Sequence, residues 1–566
     1  MMNRMVGSVL TLMSLLFSGG PVVAQTYTQM QWGMNKGVTP YAFGANINGT
    51  WRDLGTVSSS GVWQIPVSNI SGLAPSATTD TTNASNITSG TLAASRLPAF
   101  SGDCSSSVGS SALLCPKIWR GSVAAEAYGA DPTGSINSDA ALDAAVAAAN
   151  GGCVSFGAGQ FKFSNSHAYS SPICIFGVGK GVGPGASAHD YINVTEFVIN
   201  SSTNILFNVT ANAGSRFENF RCNTAVGSRP ATTNSCIKMS GGTGLVAAPL
   251  IRNVGTTQVA RPIQLIKPAW PTIESNYFDY WAGNVETDAA IYCATTSGVE
   301  GSCGFIAHNY FFGGPTSGPV LYSEIGYTDF HDNEALSPST AIRFKYKNNP
   351  AGFTKIHDNT IENFGAFGNI GLIIETGDGS AAAYVMIQNN EFFADPSLAP
   401  LGTILVSDYA ASPAWLSQLI ISGNVIRSLN TAAGGYAIRV GAGNNVSVTN
   451  NNISEGGGNL PYGIVINGVS TSAGLIAPIL VKDNTLTGTY TNKYAFTAAT
   501  NIVWSDMTGS TVGVGGLQLP PNVGLGSEAV VTDGAAALAW GANIAGGGTD
   551  KYKVFYNGAN WTVQAK

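Results

Sequence analysis

Charge is scarce in this chain: Asp, Glu, Lys and Arg make up 10% of its 566 residues, against the ~25% usual in globular proteins. A helical enzyme draws its solvent-facing stripes from those residues, so that class is disfavoured. Basic clusters longer than a few residues are absent, and 26 Lys and Arg are outnumbered by 32 Asp and Glu. The electrostatic footprint of a nucleic-acid binder is therefore missing. Apolar runs are short, and none reaches the ~20 residues that span a bilayer. There is no C-x-x-C pair, and none of the five histidines stands at zinc-finger spacing from a cysteine, which argues against a structural zinc. Calcium-loop spacing is lacking too, so no metal or other cofactor is expected, and a calcium could come only from acids gathered from separate parts of the chain. What is abundant is glycine, at 70 residues, within a chain that is 44% hydrophobic and 10% aromatic. Such a chain buries enough apolar surface to offset its conformational entropy, and it should fold.

Residues 1–24 read as a secretory signal: Arg4 is the basic flank, Val6 to Phe17 the apolar run, and Val22-Val23-Ala24 the small-residue cleavage site. A secreted or cell-surface location is expected. The eight cysteines fall into pairs close in sequence: Cys104 with Cys115, Cys153 with Cys174, Cys222 with Cys236 and Cys293 with Cys303. In an exported chain this suggests local disulfides. Residues 25–117, rich in Ser, Thr, Asn and Gly, read as an extended stalk or attachment region. Its segment Asn83 to Asp103 resembles the short repeats of phage tail fibres and of bacterial surface proteins built like them.

The next segment runs Tyr128-Gly-Ala-Asp-Pro-Thr-Gly134, Asn137 to Asn150, Gly151-Gly-Cys-Val-Ser-Phe156 and Gly159-Gln-Phe-Lys-Phe163. It reads as a turn, a short helix and strands, with Ser138 as N-cap, Asp139 at the positive helix end and Gly151 as a left-handed stop. This order resembles the opening of the pectate-lyase-like superfamily, found in phage tailspikes and polysaccharide-degrading enzymes. The resemblance implies an all-β fold: a single-stranded right-handed parallel β-helix over 118–505, opened by a short capping helix. Residues 506–566, with Glu528 to Thr532, Ala537 to Trp540, Tyr552 to Asn557 and Asn560 to Val563 as strands, would form a small C-terminal β cap.

Repetition supports the same fold. The pattern apolar-x-x-Asn-x-apolar recurs around Asn276, Asn309, Asn333, Asn359, Asn390, Asn424, Asn451 and Asn484, at intervals of 24 to 34 residues, with weaker copies at Asn219 and Asn253. Each rung would turn at Asn in a left-handed conformation, and the stacked side chains would bond one another in a ladder.

Strand alternation around each Asn then selects the outward residues. Glu334, Glu362 and Glu391 are the candidate catalytic acids. Tyr277, Tyr310, Phe312, His331, His357 and Phe393 are the candidate substrate-binding residues, because aromatic faces stack on sugar rings. Glu334 and Glu362 lie one rung and two residues apart, which puts their Cα atoms ~8 Å from one another. That falls in the ~6.5–9.5 Å range of inverting glycosidases. Arg343 and Lys345 are cations able to hold a uronate carboxylate. The Asp-Asp and Gly-His-Gly signatures of polygalacturonases are absent. The expected function is binding, with cleavage by hydrolysis or elimination, of a polysaccharide or cell-surface glycan. The alternative is a non-catalytic, tailspike-like adhesin or receptor binder, for which a homotrimer is an expected assembly.

Overall fold

The computed structural model describes residues 30–35, 41–47, 50–57, 63–64 and 122–566, apart from 182–193, 225–232, 284–287, 297–300, 315–316, 337–340, 348–351, 365–369, 378–383, 395–400, 408–415, 429–433, 442, 456–459, 468–478, 498–501, 511–518 and 520–522. The segment read as a signal lies outside the described residues. The chain divides into two units, Met1–Ala99 and Phe100–Lys566. In the first, the region read as an extended stalk holds a four-stranded antiparallel meander of Met30–Asn35, Tyr41–Ile47, Thr50–Val57 and Trp63–Gln64. Asn48-Gly49, between its second and third strands, is a dipeptide suited to tight hairpins.

The second unit is a right-handed parallel β-helix. Each rung contributes one strand to each of three parallel ladders. Sheet A is the twelve-stranded ladder from His167–Tyr169 to Tyr490–Thr497. Sheet B holds the strands that precede each repeat asparagine, such as Thr328–His331 and Phe353–His357, and sheet C those that follow it, such as Tyr310–Phe312 and Glu334–Leu336. Sheets B and C share the long strands Arg216–Thr224 and Leu250–Thr257 at their start.

Side chains alternate in and out, so the core is a set of stacked columns. Ile273, Ile306, Phe330, Ile356, Ile387 and Ile421 point inward on sheet B, and Phe278, Phe311, Ala335, Ile361, Phe392 and Ile426 on sheet C, all at 0% exposure. Full burial of each large side chain contributes ~1.5–3 kcal/mol. The first rungs are filled by aromatics instead: Phe156, Phe161, Phe163, Phe197, Phe207, Phe217 and Phe220 are mutually packed.

The eight repeat asparagines form the expected ladder, but not in the expected conformation. The left-handed residue is the one before each asparagine: Ser275, His308, Asp332, Asp358, Asn389, Asn450 and Asp483, with φ between 52 and 58°, and Gly423 at φ 69°. The asparagine itself points into the corner, 0–2% exposed. Its Nδ2 donates to a main-chain carbonyl of the preceding rung, as Asn309 does to Ile273 O at 3.0 Å, and to the next ladder Oδ1, as Asn309 does to Asn333 at 2.9 Å. Asn219 and Asn253 occupy the left-handed position, at φ 62° and 53°. Phe220 and Val254 therefore fill the ladder site on those rungs, and the ladder starts where Asn276 Oδ1 accepts the Val254 N–H at 2.9 Å.

Helix α1 (Asp139–Ala149) covers the open N-terminal end with Ala141, Leu142 and Ala145 buried. Ser138 flanks it without a side-chain cap: its hydroxyl accepts the Asp131 N–H at 3.0 Å. Asn150, at φ 46°, ends the helix in the left-handed region ahead of Gly151. At the other end, strand Ile502–Ser510 continues from the last rung across the anticipated 505/506 boundary and pairs with Glu528–Gly534. Asp550–Tyr556 and Trp561–Ala565 complete an antiparallel module. Trp504 and Trp561 meet there edge to face at 5.5 Å. Ala537–Trp540, expected as a strand, is a turn with Ala537 left-handed at φ 61° and Trp540 78% exposed.

Of the four disulfides expected, three are formed among the described residues: Cys153–Cys174, Cys222–Cys236 and Cys293–Cys303. The fourth expected pair, Cys104 with Cys115, lies outside the described residues. Among the described residues no helix is long and apolar enough to cross a membrane.

Candidate functional site

Sheet C presents the acid and aromatic residues on its outer face. The first outward column runs, in register, Arg221, Gly255, Tyr277, Tyr310, Glu334, Thr360 and Glu391. The second runs Asp279, Phe312, Leu336, Glu362, Phe393 and Arg427. Glu334 and Glu362 are thus one rung and two residues apart, as the repeat implied, and Glu391 is two rungs from Glu334 with Thr360 between them.

Tyr277 and Tyr310 stack with ring centroids 5.4 Å apart and planes within 6°. Burial, reinforced by the carboxylates of Glu334, Glu362 and Asp279, holds the Tyr310 hydroxyl above its ordinary pKa. The register sets Glu334 directly beside Tyr310, with Glu362 on the following rung. Burial likewise raises Tyr277, with Asp279 and Tyr310 adding to the effect, and its hydroxyl is enclosed without a hydrogen-bond partner among the described residues. Further along, the Arg427 guanidinium lies 5.2 Å over the Phe393 ring, and Tyr280 meets Phe312 edge to face at 5.4 Å. Glu334 and Glu391 are exposed and Glu362 is half-buried.

The upstream end of this face is closed by Lys180. Its ammonium donates to the Ser275 carbonyl, and burial lowers its pKa. Gly255 makes room for the crossing, since a Cβ there would meet Lys180 O at 3.3 Å.

The two histidines sit on sheet B, across the asparagine corner from the acids. His331 and His357 stack at 5.0 Å with planes within 6°. His357 Nε2 pairs with Asp329 at 2.9 Å and its Nδ1 with Asp358 at 2.7 Å, while His331 Nδ1 pairs with Asp332 at 2.8 Å. The hydrogen bond from His331 holds Asp332 below the usual carboxylate range. Each ring is thus held by the acid of its own corner, and His357 also by Asp329 of sheet B. Arg343 is committed as well, to Glu375 at 2.6 Å on sheet A.

Other polar groups on sheet A had no pattern in the sequence to mark them. Arg261 pairs with Asp288 at 2.7 Å, Lys347 pairs with the buried Glu324 at 2.5 Å, and Tyr292 packs 5.6 Å from Tyr322. Among the described residues no group of His, Cys, Asp and Glu is arranged to hold a metal ion.

The fold defines the chain as a single-chain right-handed parallel β-helix protein, the architecture that the pectate-lyase-like resemblance implied. No family model matches the chain, and no curated protein does. Among solved structures it is similar to the A-module of mannuronan C-5 epimerase AlgE4 from Azotobacter vinelandii, at 13% identity over 66% of this chain and 97% of that one, with a TM-score of 0.37. It is also similar to DFA-IIIase from Arthrobacter chlorophenolicus A6, at 11% identity over 67% and 95% of the two chains, TM-score 0.39. A third is PfbA, a surface adhesin of Streptococcus pneumoniae, at 11% identity over 79% and 100%, TM-score 0.36. At identities this low, function is read from the site itself.

Proposed function

We propose that this is a secreted or cell-surface glycan-binding β-helix protein whose ligand lies along the outer face of sheet C. The observation that carries the reading is Tyr310, which is stacked on Tyr277 and sits beside Glu334 in register. An aromatic platform edged by carboxylates matches a sugar, which has apolar ring faces and a rim of hydroxyl donors. Three disulfides support an oxidising, extracytoplasmic setting.

Affinity electrophoresis of the full chain through a panel of polysaccharides tests this. Tyr310→Ala is expected to weaken the tightest interaction about tenfold, on the scale of one lost stacking contact with its burial. Retardation by that glycan equal to wild type would refute the assignment.

Hydrolysis is the second reading, favoured by the register that sets Glu334 and Glu362 one rung and two residues apart. Carboxyls that keep the ~8 Å spacing of their Cα atoms would leave room for a water between them. Half-buried Glu362 would protonate the leaving oxygen, and exposed Glu334 would activate the water. Glu362→Gln is then expected to cut release of reducing ends by ~100-fold or more while binding persists. No release by wild type leaves the binding function alone, and new ultraviolet absorbance from unsaturated uronates would replace the acid pair with an elimination.

A further inference from the structure

A second aromatic row lies on the edge of sheet B, outside the acid stripe. Trp270 stands two residues before Thr272 and Tyr327 two before Asp329, the register partners of Phe305 on either side. Phe353 and Tyr384 follow in the same column, because Phe353 pairs with Tyr384 and Thr328 with Thr354. The column therefore reads Trp270, Cys303, Tyr327, Phe353, Tyr384 and covers four rung spacings, ~19 Å along the solenoid axis.

The Cys303 rung contributes no outward ring, since that residue is buried and bonded to Cys293. Trp270 and Tyr327 are two rungs apart, ~9.6 Å, yet their centroids close to 5.9 Å over this gap. Tyr327 and Phe353 meet at 5.6 Å. Tyr327 is seated on glycine backbone: a Cβ on Gly352 would stand 2.8 Å from its ring. Trp270 is 50% exposed and neighbouring Phe305 47%. Large aromatic side chains left open to water in a preorganised row are unusual in a chain whose other columns are packed.

The border of this row is polar and its charges are already engaged. Asp329 pairs with His357 at 2.9 Å and lies 4.0 Å from Lys355, whose ammonium sits 5.1 Å over the Phe353 ring. Among the described residues such a surface offers ring faces and hydrogen-bonding edges beside paired charges. An acidic or basic ligand would have to displace these pairs of the described residues, and a purely apolar partner would strand the polar border. An uncharged sugar chain satisfies both halves.

We infer that the Trp270–Tyr384 column is a second glycan-binding surface, which takes a neutral polysaccharide laid along the solenoid axis. It shares no residue with the sheet C face and does not depend on it. The test is affinity electrophoresis of the full chain through dextran and a β-1,3-glucan as neutral probes and polygalacturonate as an acidic one. Trp270→Ala is expected to weaken binding to a neutral probe about tenfold, and Trp270→Phe to restore most of it. Trp270 is half-exposed, so the variant should keep the wild-type melting curve, and Tyr327→Ala provides a second reading of the same row. The inference is overturned if neither neutral probe binds, if Trp270→Ala and Tyr327→Ala both bind as wild type, or if the two variants lose only polygalacturonate. It is equally overturned if Trp270→Ala abolishes self-association of the chain and leaves glycan affinity intact.

Discussion

Asn359→Ala is expected to remove about 3–5 kcal/mol of stability, the sum of two or three buried polar groups left unpaired at ~1–3 kcal/mol each. Asn359 Oδ1 accepts both the main-chain N–H and the Nδ2 of Asn333, each at 3.0 Å. Its own Nδ2 serves Phe330 O and His357 O at 2.9 Å and Asn390 Oδ1 at 2.8 Å. With 1% of its surface exposed, no water replaces those contacts without opening the corner. Urea unfolding gives the loss, and hydrogen exchange should place it mainly in the neighbouring rungs, because a solenoid couples each repeat chiefly to the next.

Asn359→Asp sharpens the same test. Its second carboxylate oxygen would replace an amide donor and face the Asn390 oxygen, so burial and repulsion raise the folded-state pKa above the unfolded ~3.9. The neutral acid still donates a proton, and the charged form does not. The variant should therefore be nearest to wild type below about pH 4 and lose stability as pH rises through the folded-state pKa. A flat pH dependence relative to wild type would contradict the ladder account.

The second large effect belongs to His167, which is 2% exposed and joins the capping helix to the first rung of sheet A. Its Nε2 pairs with Asp139 and its Nδ1 with Asp143, both at 2.8 Å. Asp139 also accepts the Ser164 N–H at 3.2 Å and Asn165 Nδ2 at 2.7 Å, and Tyr169 donates to Asp143 at 3.0 Å. Leaving a buried hydrogen-bonding group without its partner costs ~1–3 kcal/mol, more where the group is charged. Here Asp143 has a side chain 57% exposed and Asp139 keeps other donors, so His167→Leu should cost about 2–4 kcal/mol. His167→Gln, which retains a donor, should lose less. Loosening the helix uncovers a sheet edge, so His167→Leu should also aggregate during refolding more than Asn359→Ala does. Light scattering beside the urea titration distinguishes the two.

The repeat and its alternation were legible in the sequence because each asparagine marks a corner with apolar positions three before and two after it. The inward and outward columns of sheets B and C, and the Glu334–Glu362 offset, follow from that spacing alone. Which residue of Asp332-Asn333 or Asp358-Asn359 is left-handed does not, since Asp and Asn both tolerate that region. Packing decides it: an asparagine turned inward satisfies main-chain groups of the rung beside it, whereas an inward aspartate would be a buried charge. The division of His331 and His357 from the acid stripe depends on the bend at that corner, which a linear pattern does not carry. The turn from sheet A to sheet B has no constant residue, so Trp270 and Tyr327, both left-handed at φ 54° and 49°, do not announce themselves as one column.

The most direct test of glycan binding on sheet C is hydroxyl-radical footprinting of the full chain, free and saturated with its tightest polysaccharide. Protection of Tyr310, Phe312 and Phe393 on binding is the predicted result. Oxidation of those three rings at the free-protein rate, with the glycan demonstrably bound, would contradict it.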